Sequence, residues 1–462
     1  MITNVLLEGK EIGRAKLILK RIALYKQLSF IEATDEHEHY YLIFYKEQFL
    51  TAKKTNKLRR QSFIEEAFKK GIVFLCPHPV ATELIQKYKS LKIITFNQLY
   101  TTCRNSYSPQ EVSLIFRALD SFISTEKLVR LIRKEFYQYR RDGKFLHAYQ
   151  ILWILKELAP DHSWVKQSNQ DHSFSKYEKI YQQSYKELLQ NDPHYVYQKV
   201  WEDRDQLNNQ EILEKFLQKE GLTPTLTAYK LEEFNKNQTD SYYQSLLHFL
   251  NSTYPPEIIL DIHACLASEL PKYLPIQQYQ FDYFLKLKQF EEALQVLVKS
   301  PALTIKNQNS LTGIFEEIDW ESSSIPLEKM SQIVIPLLKN QPEKLNQILK
   351  SCIKALIQHH DVQYIEEWLM PLSEHKLKIP IAERIKEMGR LHEDPDQQSK
   401  LGEYYYQYQQ LDRAIECFTW DMELKPNDPS PIKWLNRLYQ EKGMAHESKA
   451  YQQLLIQMQK QA

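Results

Sequence analysis

Glycine is scarce in this chain of 462 residues, and that scarcity limits what the chain can fold into. There are nine glycines, where an average usage of about 7% would give roughly thirty. Loops that bind phosphate need several glycines close together, so that backbone N–H groups can approach the anion. Only Gly9 and Gly13 are near neighbours, and no GxxxxGK, GxGxxG or GxSxG motif can be spelled. Nucleotide-binding folds and serine-elbow hydrolases are therefore disfavoured.

The charges are divided unevenly along the chain, although the net charge is only +1. Residues 1–144 contain 26 Lys and Arg against 15 Asp and Glu, whereas residues 145–462 contain 34 against 44. We call the basic residues 1–144 the head and the acidic residues 145–462 the body. This difference in charge bears on which partners the protein can bind rather than on its fold. Either the head meets an acidic surface such as nucleic acid, or the head and the body attract each other.

The beginning of the chain and its cysteines predict a cytoplasmic protein. Glu8 and Lys10 interrupt any apolar run of signal-peptide length, and no segment approaches the roughly 18 apolar residues of a membrane-spanning helix. The five cysteines are widely separated and form no CxxC pair, which is typical of small buried side chains in a reducing compartment. We therefore expect no membrane partner.

Residues 1–106 predict a small basic α/β domain. The expected order is a helix over residues 8–27, strands over 28–33 and 40–49, a helix over 61–70, a strand over 72–76, a helix over 80–89 and a strand over 91–96. The helix over residues 8–27 is expected because Ile12, Ala15, Leu19, Ile22 and Ala23 stand near helical spacing. A strand–helix–strand segment after a hairpin indicates at least one parallel strand pair.

Beyond residue 107 the pattern predicts a mostly α chain. Apolar residues recur at three- and four-residue spacing, and brief segments rich in Pro, Asn, Asp or Ser interrupt them. Such a chain calls for a search for internal repeats.

The clearest repeat lies near the carboxyl end, in KLGEYYYQYQQLDRAIECFTWDMELKPND. This segment resembles a tetratricopeptide repeat (TPR), whose unit is a helix–turn–helix of about 34 residues. Leu401, Gly402 and Tyr405 match its first helix, and Ala414 and Phe418 match its second. The resemblance implies that Gly402 and Ala414 face each other, because two helices pack closely only where small residues meet. Gln398 and Asp421 depart from the pattern.

Three further segments match the same offsets less completely. The matching residues are Leu435, Tyr439, Gly443 and Ser448; Tyr139, Gly143, Ala148, Leu152 and Pro160; and Phe284, Ala293 and Leu297. Asn436, Glu135 and Phe136 depart from the pattern. The resemblance implies a TPR-like helical solenoid, with irregular repeats over residues 107–390 and repeat units with a terminal cap over residues 391–462.

The N-terminal domain resembles a degenerate restriction-endonuclease-like domain. The expected order of elements agrees, and so does Lys46 late in the second strand. Such nucleases hold Mg²⁺ with two carboxylates beside that lysine. Here Phe44 replaces the metal ligand, and the upstream acid could only be Glu32 or Asp35. The resemblance therefore implies a domain that does not cut, and we predict no catalytic residues; an active nuclease with a displaced acid is the less favoured alternative.

Histidine and cysteine pairs do not predict a metal site or a cofactor. His37 and His39 flank Glu38 in a polar turn, where no third ligand is indicated. Cys76 with His78, and His359 with His360, are equally incomplete. We predict that the protein binds no metal and needs no cofactor.

One row of basic residues predicts a partner-binding site. Arg130, Arg133, Tyr137, Arg140 and Arg141 have spacings that place them on one side of a helix. If the repeat match there holds, the resemblance implies that this side faces the inner groove, where the family binds peptides. The planar guanidinium group of arginine suits carboxylates. The open alternatives are a solvent-exposed face and a row that holds the acidic body of the same chain.

A second basic patch consists of Lys53, Lys54, Lys57, Arg59 and Arg60, with no acidic residue from Thr51 to Arg60. It predicts contacts with a phosphate backbone, although it lacks the interleaved aromatic residues that stack on single strands. We therefore expect a non-enzymatic helical-repeat scaffold or regulator that binds an acidic protein or peptide in its concave groove. The alternative is a nucleic-acid-binding protein that uses residues 1–144.

Overall fold

The chain divides into two compact units, Met1–Cys265 and Leu266–Ala462. These units do not coincide with the boundaries after residues 106 and 390 that the sequence predicts. The computed structural model describes the chain except for residues 10–12, 36, 306–312, 314, 316, 321–322 and 462, and describes the backbone alone at residues 459–461. Helices predominate in the described part, as the sequence predicts, and a β-sheet forms at the amino end.

Seven strands and a series of helices make up the first unit. The strands are β1 (Asn4–Gly9), β2 (Gly13–Tyr25), β3 (Leu28–Thr34), β4 (His39–Tyr45), β5 (Gln48–Lys54), β6 (Ile72–Leu75) and β7 (Leu91–Lys92). The helices are α1 (Phe63–Lys70), α2 (Pro79–Ile85), α3 (Phe96–Ser106), α4 (Pro109–Arg117), α5 (Thr125–Arg141), α6 (Phe145–Leu158), α7 (Ser163–Asn169), α8 (Ser175–Ile180), α9 (Tyr185–Leu188), α10 (Pro193–Glu202), α11 (Leu207–Lys219), α12 (Thr223–Asn237), α13 (Asp240–Thr253) and α14 (Pro256–Glu269), in which the boundary lies.

The described part of the second unit is helical. Its helices are α15 (Leu274–Lys286), α16 (Phe290–Lys299), α17 (Met330–Leu338), α18 (Pro342–Leu356), α19 (Val362–Trp368), α20 (Met370–Glu374), α21 (Pro380–His392), α22 (Gln398–Gln407), α23 (Leu411–Leu424), α24 (Pro429–Glu441) and α25 (Ala445–Gln461). Their buried apolar side chains form one continuous cluster from Phe281 to Leu438.

The sheet has the strand order β5-β4-β3-β2-β1-β7, and β6 pairs with the second half of β2. All pairs are antiparallel except β1 with β7, which is parallel. One parallel pair is present, as expected, but it joins β1 to β7 and not the strands predicted over residues 72–76 and 91–96. The predicted hairpin and the strand over residues 72–76 are present, whereas the strand expected over residues 40–49 is divided by a turn between β4 and β5.

The helix expected over residues 8–27 is wrong, because β1 and β2 occupy this segment. Leu17 and Leu19 are buried while Lys16, Ile18 and Lys20 are exposed, which is the period of two of a strand. The register then shifts by one residue between Leu19 and Arg21. Because of this bulge, the next fully buried residue after Leu19 is Ile22, three positions later, so the spacing of buried residues resembles that of a helix. Ile12 and Lys10 lie outside the described residues.

The two ends of the sheet path lie side by side, so the sheet curls towards closure. The side chain of Thr51 on β5 is fully buried, and its Oγ1 donates to the carbonyl of Ile94 at 3.3 Å. The backbone N–H of Phe49 donates to the Tyr88 hydroxyl at 2.9 Å. Side chains therefore satisfy polar groups that an outer strand would otherwise leave open.

The turns of two hairpins are buried among helices of the same unit. Lys26, Gln27 and Glu47 are 2%, 4% and 5% exposed, respectively. The Nζ of Lys26 lies 2.8 Å from a carboxylate oxygen of Glu202 on α10, and Glu47 accepts hydrogen bonds from the N–H and the hydroxyl of Thr225 on α12. The sheet therefore shares an interior with α10 and α12.

Five helix pairs are joined by the same turn of three residues. The pairs are α5–α6, α11–α12, α15–α16, α22–α23 and α24–α25. The middle residue of each turn has a positive φ; these residues are Gly143, Gly221, Lys288, Gln409 and Gly443. In each turn a backbone N–H donates to a carbonyl five residues earlier, as from Gln410 to Tyr405, which is the pattern of a Schellman motif. Four of these pairs are the segments singled out by the repeat pattern, and α11–α12 is new.

The pair α22–α23 packs through a small residue. A Cβ added to Gly402 would lie 2.9 Å from the ring of Phe418, so this ring packs directly against Gly402. Ala414 and Phe418 are fully buried. In the next pair, Asn436 departs from the repeat pattern because its side chain accepts a hydrogen bond from the Ser448 hydroxyl at 2.8 Å.

Candidate partner-binding surface

Helix α5 carries the predicted arginine row, and its amphipathic pattern explains where the side chains lie. Leu128, Val129, Ile132 and Phe136 form its buried stripe. Because each residue of a helix advances by about 100°, Arg133 and Arg140 lie at the edge of this stripe, and Arg130 and Arg141 lie further round. The first two are accordingly half-buried and the other two exposed.

Arg133 and Tyr137 form one exposed surface with Trp164 of α7. The guanidinium carbon of Arg133 lies 5.6 Å from the ring centre of Trp164. The indole N–H of Trp164 donates to the Tyr137 hydroxyl at 2.9 Å, and Tyr137 is 41% exposed. A cation over an aromatic face keeps its charge available to a further anionic group. We call Arg130, Arg133, Tyr137 and Trp164 the α5 surface.

The remaining arginines of the row have other surroundings. Arg140 pairs with Asp171 at 2.9 Å, and its guanidinium lies within 6.0 Å of the ring centres of Phe136, Phe145 and Phe174. Arg141 donates to Gln138 on its own helix. Arg130 has no ion-pair partner among the described residues. The row is therefore divided between a contact within the chain at Arg140 and an open surface at Arg130 and Arg133.

A chain of aromatic rings lies beside the α5 surface and fixes it. Phe136 is in contact with Trp164 at 5.1 Å between ring centres and with Phe174 at 6.0 Å. Tyr149 continues the chain from Phe174 at 5.7 Å. Trp164 is the member that sequence reasoning missed, because it lies on another helix and belongs to no repeat match. Its only signal was an isolated tryptophan shortly after the basic helix.

The second basic patch is not one surface. Lys53 lies 3.9 Å from the ring centre of Phe96, Lys54 pairs with Glu38 at 2.8 Å, and Arg59 donates to the backbone of Asp120 and to the Thr125 hydroxyl. Only Lys57 and Arg60 are exposed without an ion pair or a side-chain hydrogen bond in the described part of the chain. Alternation along β5 sends Lys53 and Lys54 to opposite faces.

The residues expected at a nuclease site are not brought together. Lys46 is in the turn after β4 and pairs with Glu111 at 3.0 Å and Glu220 at 2.7 Å. Glu32 pairs across the ladder with Tyr41 and binds Arg21. Five residues of strand separate that rung from Lys46, which is about 16 Å. Asp35 accepts from the hydroxyl of Tyr40, and Phe44 is buried.

The histidines of the sequence motifs have local partners. His78 stacks on Phe74 and accepts from the backbone N–H of Val80 at the start of α2. Burial lowers the pKa of His78 to about 4 and raises the pKa of the neighbouring Cys76 thiol to about 12. His360 stacks on Tyr364. Among the described residues, no three His, Cys, Asp or Glu side chains form a group that could hold a metal ion.

No family model and no curated protein matches this chain. In the part of the chain that the structure describes, no helix has both the length and the apolar character needed to cross a membrane.

Proposed function

We propose that the protein is a non-enzymatic helical-repeat protein that binds an acidic segment of a partner protein on the α5 surface. The observation that carries this proposal is the guanidinium of Arg133, held over Trp164 without an acidic partner among the residues that the structure describes. The guanidinium of an arginine that already lies on an aromatic ring can donate hydrogen bonds to a carboxylate with little further loss of side-chain conformational entropy. Arg130 adds a second open charge one turn away.

The helix pairs with their common turn support this function. Repeated pairs stack on their neighbours and present extended surfaces, which such proteins use to bind other chains. In the proposed function, the helix pairs form a TPR-like solenoid, and its concave groove contains the α5 surface. A nucleic-acid-binding function has less support, because Lys53, Lys54 and Arg59 already have neighbours within the chain.

A pair of matched double variants tests the proposal. Arg130→Glu with Arg133→Glu reverses the two open charges of the α5 surface, and Lys57→Glu with Arg60→Glu makes the same charge change on the other patch. Binding partners are captured from a lysate and identified by mass spectrometry, and the affinity of each purified partner is measured at several salt concentrations. We expect the first pair alone to weaken binding of an acidic protein, mainly through slower association.

Two results would contradict the proposal. Equal loss with both double variants would indicate non-specific attraction to a basic unit. Loss with Lys57→Glu and Arg60→Glu alone, together with a steep salt dependence of binding to single-stranded DNA, would favour the nucleic-acid alternative.

A further inference from the structure

A groove on the second unit has features that the α5 surface does not explain. Three adjoining depressions of about 420, 600 and 420 Å³ run along α20, α19, α21 and α23. The first two share Glu366 and Lys386, and the last two share Asp361, His392 and Tyr405. Because they share lining residues, they form one continuous groove.

The local sequence keeps the lining of this groove in place. Gly389 on α21 has no side chain where the carboxylate of Glu366 lies, and a Cβ there would collide with that carboxylate. Asp361 accepts from the backbone N–H of Tyr364 at 2.8 Å, which caps α19. Arg413 donates to the carbonyl of His360 at 3.1 Å. The groove is thus lined by positioned groups.

Acidic side chains outnumber basic ones in the lining of the groove. Inside it, six acidic residues face four Lys and Arg, and none of the ten has an ion-pair partner among the described residues. The acidic residues are Asp361, Glu366, Glu367, Glu383, Glu393 and Glu416.

Exposed apolar side chains stand at the two ends of the groove. Trp420 is 57% exposed at one end, and Met370 is 60% exposed at the other. An exposed tryptophan face binds cations as well as apolar groups. Together with the surplus of unpaired carboxylates, this favours a ligand that brings positive charge and apolar side chains in alternation.

We infer that this groove binds an extended basic segment of another protein, with a Lys or Arg near Trp420 and further basic residues beside Glu416 and Glu366. The surplus of negative charge in the groove and the exposed apolar side chains at its two ends are complementary to such a segment. The site differs from the α5 surface in both position and the sign of its ligand, so it goes beyond the proposed function.

The experiment uses the full chain and a short fluorescein-labelled peptide in which lysine alternates with leucine, followed by fluorescence anisotropy. Glu366→Gln with Glu416→Gln should weaken binding at least about ten-fold, and Trp420→Ala should weaken it without a change of charge. The matched control is Glu403→Gln with Glu423→Gln, which removes the same charge from exposed positions outside the groove. The control should change the affinity by less than about two-fold.

The inference is overturned if the lysine peptide does not bind, if both glutamine pairs weaken it equally, or if a glutamate counterpart of the peptide binds better. Arg130→Glu with Arg133→Glu should leave binding of the lysine peptide unchanged, so failure of the proposed function and failure of this inference are distinguishable. Thermal unfolding of each variant, followed by circular dichroism, confirms that the groove is still folded.

Discussion

Arg140 and Arg141 are neighbours in the sequence, yet only one of them is tied to the rest of the protein. Arg140 pairs with Asp171 and lies against three aromatic rings, while the side chain of Arg141 donates to Gln138 on its own helix. The spacing of charges on α5 could be read from the sequence. The difference between the two arginines could not, because Asp171 and Phe174 reach them from a segment about thirty residues away.

This difference can be tested at the level of the single side chain. Arg140→Ala should lower the free energy of unfolding by about 1–2 kcal/mol, since it removes an ion pair and the packing on the rings. Arg141→Ala should change it by less than about 0.5 kcal/mol. Urea unfolding of both variants measures this, and equal effects would mean that Arg140 is only a solvated residue.

The buried Glu47 predicts a pH dependence. Burial raises its pKa to about 7, against the two hydrogen bonds from Thr225 that lower it. A carboxyl with a raised pKa in the folded state stabilises the fold only while it is protonated, so its contribution is complete below pH 4.5 and is lost as the pH rises through 7. The loss amounts to about 3 kcal/mol.

Glu47→Gln removes this titration and keeps an oxygen that can accept from Thr225. We expect the variant to be more stable than the wild type at pH 8 by up to about 3 kcal/mol and nearly equal at pH 4.5. His78 acts in the opposite direction, since its lowered pKa makes stability fall as the pH drops from 6.5 towards 4. Comparing variant and wild type at the same pH removes that contribution. Glu178→Gln, at an exposed position, is the control and should show no pH-dependent difference.

At the level of elements, the sequence predicts the types of most helices and strands but not the first hairpin. A bulge in β2 interrupts the alternation of Leu17 and Leu19, and the next buried residue, Ile22, falls at helical spacing. A period of two can be recognised only while the ladder is regular. Four of the five helix pairs with the common turn, in contrast, follow from spacing, because each buries its own apolar stripe against the next helix.

The recurring turn between helices predicts a stabilising change. Gln409 is exposed and has φ 60°, where the equivalent residues of three other turns are glycines. A side chain in the left-handed region costs about 1 kcal/mol, so Gln409→Gly should raise the stability of the second unit by up to about 1 kcal/mol. Gly443→Ala should do the reverse by a similar amount. A destabilised Gln409→Gly variant would contradict the shared geometry.

Replacing Gly402, which contacts Phe418, by alanine has two opposite effects on stability, and the sign of the measured change shows which effect is larger. By helix propensity alone, Gly402→Ala should stabilise α22 by about 1 kcal/mol. The added Cβ would press on the buried ring of Phe418, so we expect a loss of about 1–3 kcal/mol instead. Ala414→Leu should cost a similar amount, while Ala450→Leu, at an exposed position on α25, should not. Thermal unfolding measures all three, and a gain with Gly402→Ala would show that the pair packs differently.

At the level of the molecule, the contacts between the hairpin turns of the sheet and distant helices extend the first unit well beyond residue 106. Lys26 and Glu47 are polar residues in short turns, which from sequence alone indicates a solvent-exposed loop. Their partners are on α10 and α12, more than 150 residues away. Composition therefore suggests a boundary at residue 106, where strand signals stop, and it cannot reveal an interior shared by distant segments.

The extent of this unit predicts the behaviour of fragments. A fragment of residues 1–106 would expose the buried Lys26, Glu47 and Tyr45 and leave the two turn charges without partners, so we expect no cooperative unfolding from it. A fragment of residues 1–269 keeps the interior and α14 whole and should unfold cooperatively. Circular dichroism during heating distinguishes them. A cooperative transition in the shorter fragment would restore the boundary after residue 106.

The candidate sites illustrate how far sequence reasoning reaches across the whole chain. The charge asymmetry predicts a basic surface, and the structure places Arg130 and Arg133 on it. The groove of the second unit escaped notice, because its acidic residues come from four short segments with no run of charge. The near-zero net charge of the chain hides two surfaces of opposite sign, each of which has unpaired charges among the described residues.

The bonds from Thr51 and Tyr88 along β5 have a consequence for the protein in a crowded solution. An uncovered outer strand is a template on which a second molecule can add its own strand, and such pairing leads to fibrils. Here the segment after β7 covers that strand through Ile94, and Tyr88 takes up the N–H of Phe49. The segment that covers β5 is short, so local unfolding around Ile94 would expose the outer edge of β5 while the rest of the unit stays folded. The covering of β5 thus depends on a few residues that lie outside the sheet itself.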